Sequence, residues 1–177
     1  MDSFIIGDHM LMADSLVVEN HRQYCRDATN LDFANLEGVW VPHEQFNKYM
    51  NALREKVGAV GPRIIGRQVA GVIEKVFGSM TKAGNVQKAF MMIPEMYKEN
   101  NTGSECGEYN VEKLDPNFIR VVTTSPLDEG FHIGVGEGVI RFFVGVVTKT
   151  EAVETRAIDG RSVFEYTFMG GAGRKLG

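Results

Sequence analysis

The sequence predicts an α+β domain in which helices pack on a twisted antiparallel sheet, in the order helices, hairpin, helix, hairpin. Three observations carry that expectation. Residues 42–97 hold apolar stripes at helical spacing. Two stretches rich in β-formers flank turn clusters, Asp115-Pro116-Asn117 and Asp159-Gly160. Between them lies a glycine-rich apolar segment, Phe131 to Thr148.

The 177 residues fit one domain, expected over 1–169, followed by a flexible glycine-rich tail, 170–177. The first forty residues are the least legible; there Asp14 is placed as the cap of one helix carrying Leu16, Val17 and Tyr24. Pro42 suits a first helical position, where the missing N–H is lost without cost. Behind it Phe46, Tyr49, Met50, Leu53 and Val57 form one stripe, which Gly58 and Gly61 end. Pro62 opens a second helix with Ile65, Val69, Val72, Ile73, Val76 and Phe77 on its apolar side, and Gly66 and Gly71 for close approach of a neighbour. A third begins at Asn85 as N-cap and carries Val86, Ala89, Phe90, Ile93, Met96 and Tyr97. Pro94 is expected to kink it or split it into two short helices.

Beyond Gly107, Glu108–Leu114 and Phe118–Thr124 read as a hairpin. Phe131 to Thr148 suits either a strand or a helix; its length and the spacing of Val135, Val139, Phe142, Phe143 and Val146 favour a buried helix. A two-residue turn at Asp159-Gly160 would set Glu154 opposite Glu165, with Arg156 on the diagonal to relieve the repulsion.

Charge is distributed by region. Residues 1–45 carry eight acids and two bases, and residues 46–88 eight bases and two acids, within a chain of net charge −4. The acidic total and the lack of a groove-reading motif exclude nucleic acid as a partner class. The basic stretch, with Arg63 and Arg67, is either a solvated or internally packed face or a docking face for an acidic protein. No stretch of about 18 apolar residues suggests a membrane span, and no leader is evident, so a cytoplasmic setting is expected. Two cysteines, Cys25 and Cys106, are too few for a disulfide framework.

Motifs for catalysis are sparse. Gly134-Val-Gly136-Glu-Gly138 departs from the dinucleotide-binding fingerprint and reads better as close helix packing. None of the four histidines pairs with another at metal-ligand spacing. His132, at the mouth of the glycine-rich helix, is either a locally bonded buried side chain or a ligand to a metal or heme iron. No nucleophile elbow occurs, and Cys106 sits in a polar loop. No catalytic residue, metal site or cofactor is therefore assigned.

Some of these residues form a pattern seen elsewhere. Trp40-Val41-Pro42 ahead of an amphipathic helix, Ile93-Pro94-Glu95-Met96-Tyr97, and Gly130-Phe131-His132-Ile133-Gly134-Val135-Gly136-Glu137-Gly138, together with the terminal hairpin, resemble a ligand-binding fold. It is the fold shared by vinyl-reductase-type domains, heme–nitric oxide-binding domains and Golgi-transport tethering subunits, over about residues 30–169. The resemblance implies an internal pocket for a small hydrophobic ligand, and often a dimer. The chain departs from these families in having no cysteine after Cys106, no histidine in residues 62–100 and no Tyr-x-Ser-x-Arg element, so no heme ligand is carried over.

The expectation is a non-catalytic sensor domain that binds a small hydrophobic molecule and signals through protein contacts, as a homodimer or with an acidic partner. Trp40, Met50, Phe90, Met91, Tyr97, Phe131, His132 and Phe142 are the expected ligand-binding residues, and nine methionines offer an adaptable lining. The alternative is a tethering module with a solid core, using Arg63 and Arg67 to hold its partner.

Overall fold

The computed structural model describes residues 3–77, 79–145, 147–154 and 160–169. The expected tail, 170–177, lies outside them. A short strand β1 (Phe4–Ile6) leads into α1 (Gly7–Leu16) and α2 (Glu19–Asp27). After β2 (Trp40–Pro42) come α3 (His43–Val57), α4 (Gly61–Phe77), α5 (Ser79–Ala83) and α6 (Val86–Asn100). The chain continues through β3 (Asn101–Thr102), β4 (Tyr109–Asp115), β5 (Phe118–Thr123), α7 (Glu129–Val144), β6 (Val147–Glu154) and β7 (Ser162–Phe168). The predicted α+β arrangement is present, with one addition. Beside the antiparallel sheet β4-β5-β7-β6 there is a second small sheet, β2-β1-β3, which the sequence did not announce.

Several local expectations change. Asp14 caps nothing; it sits buried in the last turns of α1, because the helix starts straight out of β1 at Gly7. There it accepts Arg26 Nε at 3.0 Å and the Tyr49 hydroxyl at 3.0 Å, so α1, α2 and α3 share one buried carboxylate. Leu16 ends α1 and Tyr24 belongs to α2, two helices where one was expected. Pro42 precedes its helix as N-cap instead of opening it. Within the α3 stripe Phe46, Tyr49, Met50 and Leu53 are buried, and Val57 is exposed. Gly58 ends that helix at φ +84°, which a side chain would strain.

Helix α6 runs unbroken through Pro94, with Asn85 capping it by accepting the Lys88 N–H at 2.8 Å. The ring removes one hydrogen bond without ending the helix, since packing of its apolar stripe outweighs that loss. The side chains of Ile73, Val76 and Phe77 lie outside the described ones.

The β4–β5 hairpin forms about the expected turn, with a bulge between Val111 and Lys113. The last hairpin has another register. Glu151, not Glu154, faces Glu165, and Glu154 pairs with Val163. Two irregularities in β6 shift the pairing away from the register expected for a two-residue turn. Arg156 and Asp159 lie outside the described residues. The charge of Glu165 is met instead from the other neighbouring strand, by Arg120 at 3.4 Å.

Candidate functional site

Helix α7 organises the interior. Asp128 caps it, accepting the Phe131 N–H at 3.0 Å, and is itself held by Arg54 of α3. Its glycines face the neighbouring backbone: a Cβ on Gly134 would meet the Arg63 carbonyl oxygen at 2.2 Å, and one on Gly138 the Arg67 carbonyl oxygen at 2.5 Å. From α4, Gly66 answers in kind, 2.2 Å from the Phe131 carbonyl oxygen. The glycine pattern is a helix-crossing device and not a phosphate loop. Gly71, expected to play the same part, has open space beside it.

Glu137 lies on the same helix, 2% exposed. It binds Arg63 and accepts Arg67 Nε at 2.5 Å and the Thr150 hydroxyl at 2.7 Å. Burial disfavours its charge, yet the hydrogen bonds from Arg63, Arg67 and Thr150 outweigh it and hold the carboxyl at about 2. Arg63 and Arg67 are thus turned onto an internal carboxylate and do not form a free docking face. The sequence paired neither with Glu137, because the partners lie about seventy positions apart.

The opposite side of α7 borders a cavity of about 110 Å³. Phe131, His132, Val135 and Val139 of α7 line one wall, and Ala89, Met92, Ile93, Met96, Tyr97 and Asn100 of α6 another. The α6 residues fall at i, i+3, i+4, i+7, i+8 and i+11, one helical face. Ile5 of β1, His9 of α1, Val69 and Ala70 of α4, Asn101, Tyr109 and Leu127 complete the enclosure.

Of the expected ligand-binding residues, Tyr97, Phe131 and His132 are brought together here. The rest are elsewhere. Phe90 is fully buried against Tyr166, ring centres 5.8 Å apart, and Met91 is 61% exposed. At 100° per residue Met91 points away from the face of Ala89 and Ile93, whereas Phe90 faces inward but packs on Tyr166 beside the cavity. Met50 is core under α3, Trp40 is 44% exposed on β2, and Phe142 stacks edge-on with Phe143 at 5.0 Å, past the cavity's end. The expected walls of Trp40 and Met50 are replaced by Ile5, His9, Val69 and Ala70. His9, Tyr109 and Ile5 were missed. Ile5 and His9 come from β1 and the helix that follows it, whose small sheet has no sequence signature, whereas Tyr109 opens β4 of the predicted hairpin and its inward direction was not recognised.

The polar end is aromatic. His132 lies 5.8 Å from the Tyr109 ring and 6.3 Å from that of Tyr97. The Tyr97 hydroxyl donates to the Cys106 carbonyl at 2.5 Å and has Ser125 Oγ at 2.8 Å. Burial pushes this phenol up to about 12, against the Ser125 hydrogen bond. Asn101 donates from Nδ2 to the Tyr97 carbonyl at 2.7 Å, and its Oδ1 lies 2.8 Å from His43 Nε2. Among the described residues, no group of three His, Cys, Asp or Glu side chains is placed to hold a metal ion.

No protein-family model and no curated protein matches the chain. Solved structures do. A Cs H-NOX variant carrying 4-cyano-L-phenylalanine superposes with a TM-score of 0.73 at 14% identity, over 96% of this chain and 100% of that one. An isoleucine-to-phenylalanine variant of T. tengcongensis H-NOX gives 0.69 at 15%, over 94% and 97%. An oxygen-binding H-NOX domain related to soluble guanylate cyclases, solved as its oxygen complex, gives 0.59 at 15%, over 97% and 96%. The chain has the H-NOX (heme–nitric oxide/oxygen binding) fold, one of those its sequence resembles.

That fold raises the question of heme: His9 and His132 line the cavity and are of the type that ligates its iron, but the rest of the site does not fit the group. Among the described residues, no lysine or arginine lines the cavity to meet two propionates. The Tyr97 hydroxyl of α6 is already engaged by Cys106 and Ser125. The space is also well below the roughly 300–1,000 Å³ of pockets for larger ligands.

Proposed function

We propose that this chain is a non-catalytic sensor domain, which takes a small hydrophobic molecule into the cavity between α1, α4, α6 and α7 and signals its presence through protein contacts. The observation that carries this reading is the cavity itself, apolar and walled by four helices with single residues of β1, β3 and β4. Among the described residues its lining contains no serine, cysteine, aspartate, glutamate or lysine, and its two histidines, His9 and His132, have none of these beside them in the lining to activate. Tyr97 gives a route outward. It touches both the cavity and Ser125, whose Oγ accepts the Leu127 N–H at 3.3 Å just ahead of α7. A guest that moves Tyr97 therefore bears on the start of the helix that holds the fold together.

The finer parts of the reading are a cytoplasmic setting and a homodimer or an acidic protein partner. Two unpaired cysteines favour a reducing compartment. Exposed Val57, Val60 and Ile64 near the α3–α4 junction offer apolar surface for a contact. Among the described residues, no helix is long and apolar enough to cross a membrane.

Native mass spectrometry of the gently purified chain tests both. The expected result is a retained small-molecule mass, absent from Ala89→Leu, whose side chain fills the space. A bare mass for the parent, with identical melting of parent and variant in crude small-molecule extract, overturns the reading.

A further inference from the structure

We propose that the cavity selects an uncharged, mostly apolar molecule about the size of a six-membered ring, carrying one oxygen that accepts a hydrogen bond from the Tyr109 hydroxyl. The inference rests on the sensor reading and names the ligand chemistry.

Among the described residues the lining holds no Asp, Glu, Lys or Arg, so an ion placed there would lose its hydration with no counter-charge in return. Neutral guests escape that penalty. Size points the same way, since an apolar cavity of about 150 Å³ accepts benzene, and this one measures about 110 Å³.

The polar anchor is set by which side chains already have partners. Tyr97 bonds to Cys106 and Ser125, Asn101 to Tyr97 and His43, and Asn100 Nδ2 to the Met96 carbonyl. Tyr109 differs. It is 3% exposed, lines the cavity, and its hydroxyl has no hydrogen-bond partner. His9 Nδ1, on the wall formed by α1, is likewise buried and unbonded. Burial pushes the Tyr109 phenol up, so it keeps its proton and donates. Burial lowers His9, against the opposing charge of Asp8, which keeps the imidazole neutral at pH 7. An unmet buried hydroxyl is unfavourable in the empty protein, and a ketone, ether or alcohol oxygen relieves it on binding. A hydrocarbon of the same shape does not.

The full chain is titrated with cyclohexanone, methylcyclohexane and hemin, reading calorimetric affinity and, for hemin, the absorption spectrum. Cyclohexanone is expected to bind the parent more tightly than methylcyclohexane. Tyr109→Phe should weaken the ketone about tenfold and leave the hydrocarbon unchanged. Equal binding of both probes, untouched by Tyr109→Phe, overturns the polar anchor and leaves the sensor reading in place. Stoichiometric hemin binding with neither ring bound overturns the uncharged ligand class, again without touching the sensor reading. If no probe binds and Ala89→Leu melts like the parent, both readings fall together.

Discussion

The two sides of helix α7 solve opposite problems with the same sixteen residues. Toward α4 it presents Gly134 and Gly138, and the neighbouring backbone comes so close that a single methyl group has no room. Toward α6 it presents Phe131, His132, Val135 and Val139, and the neighbours stand back to leave a cavity. The contrast shows where this fold puts its rigidity. Close backbone approach on one side lets the other remain partly empty, although interiors are normally filled to crystal-like density.

The tight side is the easier to break. Gly134→Val should prevent folding or destabilise by more than about 3 kcal/mol, because the obstacle is the Arg63 backbone and not a movable side chain. Gly71→Ala sharpens the result. It is also on α4, with nothing within 4 Å, and should stabilise by up to about 1 kcal/mol. Denaturant melts of the two variants measure the difference.

Next in size is Glu137, the charge at the centre of the tight side. Glu137→Ala leaves Arg63 and Arg67 facing each other without a counter-ion. Breaking a buried pair costs about 3–5 kcal/mol; both arginine side chains are about 30% exposed, so about 2 kcal/mol is expected. The pH dependence has a definite sign. The carboxyl falls from its ordinary 4.5 to about 2 on folding, so its contribution is full above 4.5 and is lost as pH falls toward 2. Glu137→Gln should flatten the acid limb of stability against pH in that window and leave the neutral limb parallel to that of the parent.

How much of this contrast was legible in the sequence differs between the sides. The glycines were readable as packing residues, because no strand–glycine–helix unit surrounded them. Helices α3, α4 and α7 and the first hairpin followed from spacing and turn chemistry. Tyr97 followed from its apolar stripe, and Phe131 and His132 from their place at the mouth of the glycine-rich helix. What the sequence could not show depends on long-range placement. Glu137 reads as one more acid until α4 brings two arginines to it. His9 becomes a neighbour of the cavity only through the small sheet, whose strands are two and three residues long, too short for a period to register. Tyr109 lies on the predicted β4, but only tertiary placement of that strand against α6 and α7 brings it to the cavity. Phe90 and Met91 were chosen for being large and apolar, but helix geometry turns Met91 outward, and Phe90, which does look inward, is taken up by Tyr166 of the sheet.

The open side should respond in the opposite way, tolerating bulk that the tight side rejects. Ala89→Leu adds three carbons into the cavity and should change stability by no more than about 1 kcal/mol, of either sign. Met91→Trp, one position on, should change neither stability nor uptake of a small apolar guest, since that side chain lies in solvent. Thermal melts with and without cyclohexanone separate the two: the ligand-dependent shift vanishes in the first and persists in the second. A loss of 3 kcal/mol or more in Ala89→Leu would mean that both sides of α7 are packed alike, and the comparison would fail.

The smallest effect concerns one oxygen. In Tyr109→Phe the ring keeps its contacts with His132 and Tyr97, and only a hydroxyl without a partner is removed. Removing a satisfied buried hydroxyl normally destabilises by about 1 kcal/mol, because a hydrogen bond is lost. Here none is lost, and the cost of keeping that oxygen away from water disappears, so the variant should equal or exceed the parent by up to about 1 kcal/mol. The effect should also reverse with loading. In saturating cyclohexanone the parent gains the ligand's stabilisation and Tyr109→Phe gains less of it, so the order of the two melting curves inverts. Two variants of one residue, measured empty and loaded, thus read the hydroxyl's role directly. If Tyr109→Phe is less stable than the parent when empty, the hydroxyl already has a partner in the protein, and the open side of α7 is better satisfied than its geometry indicates.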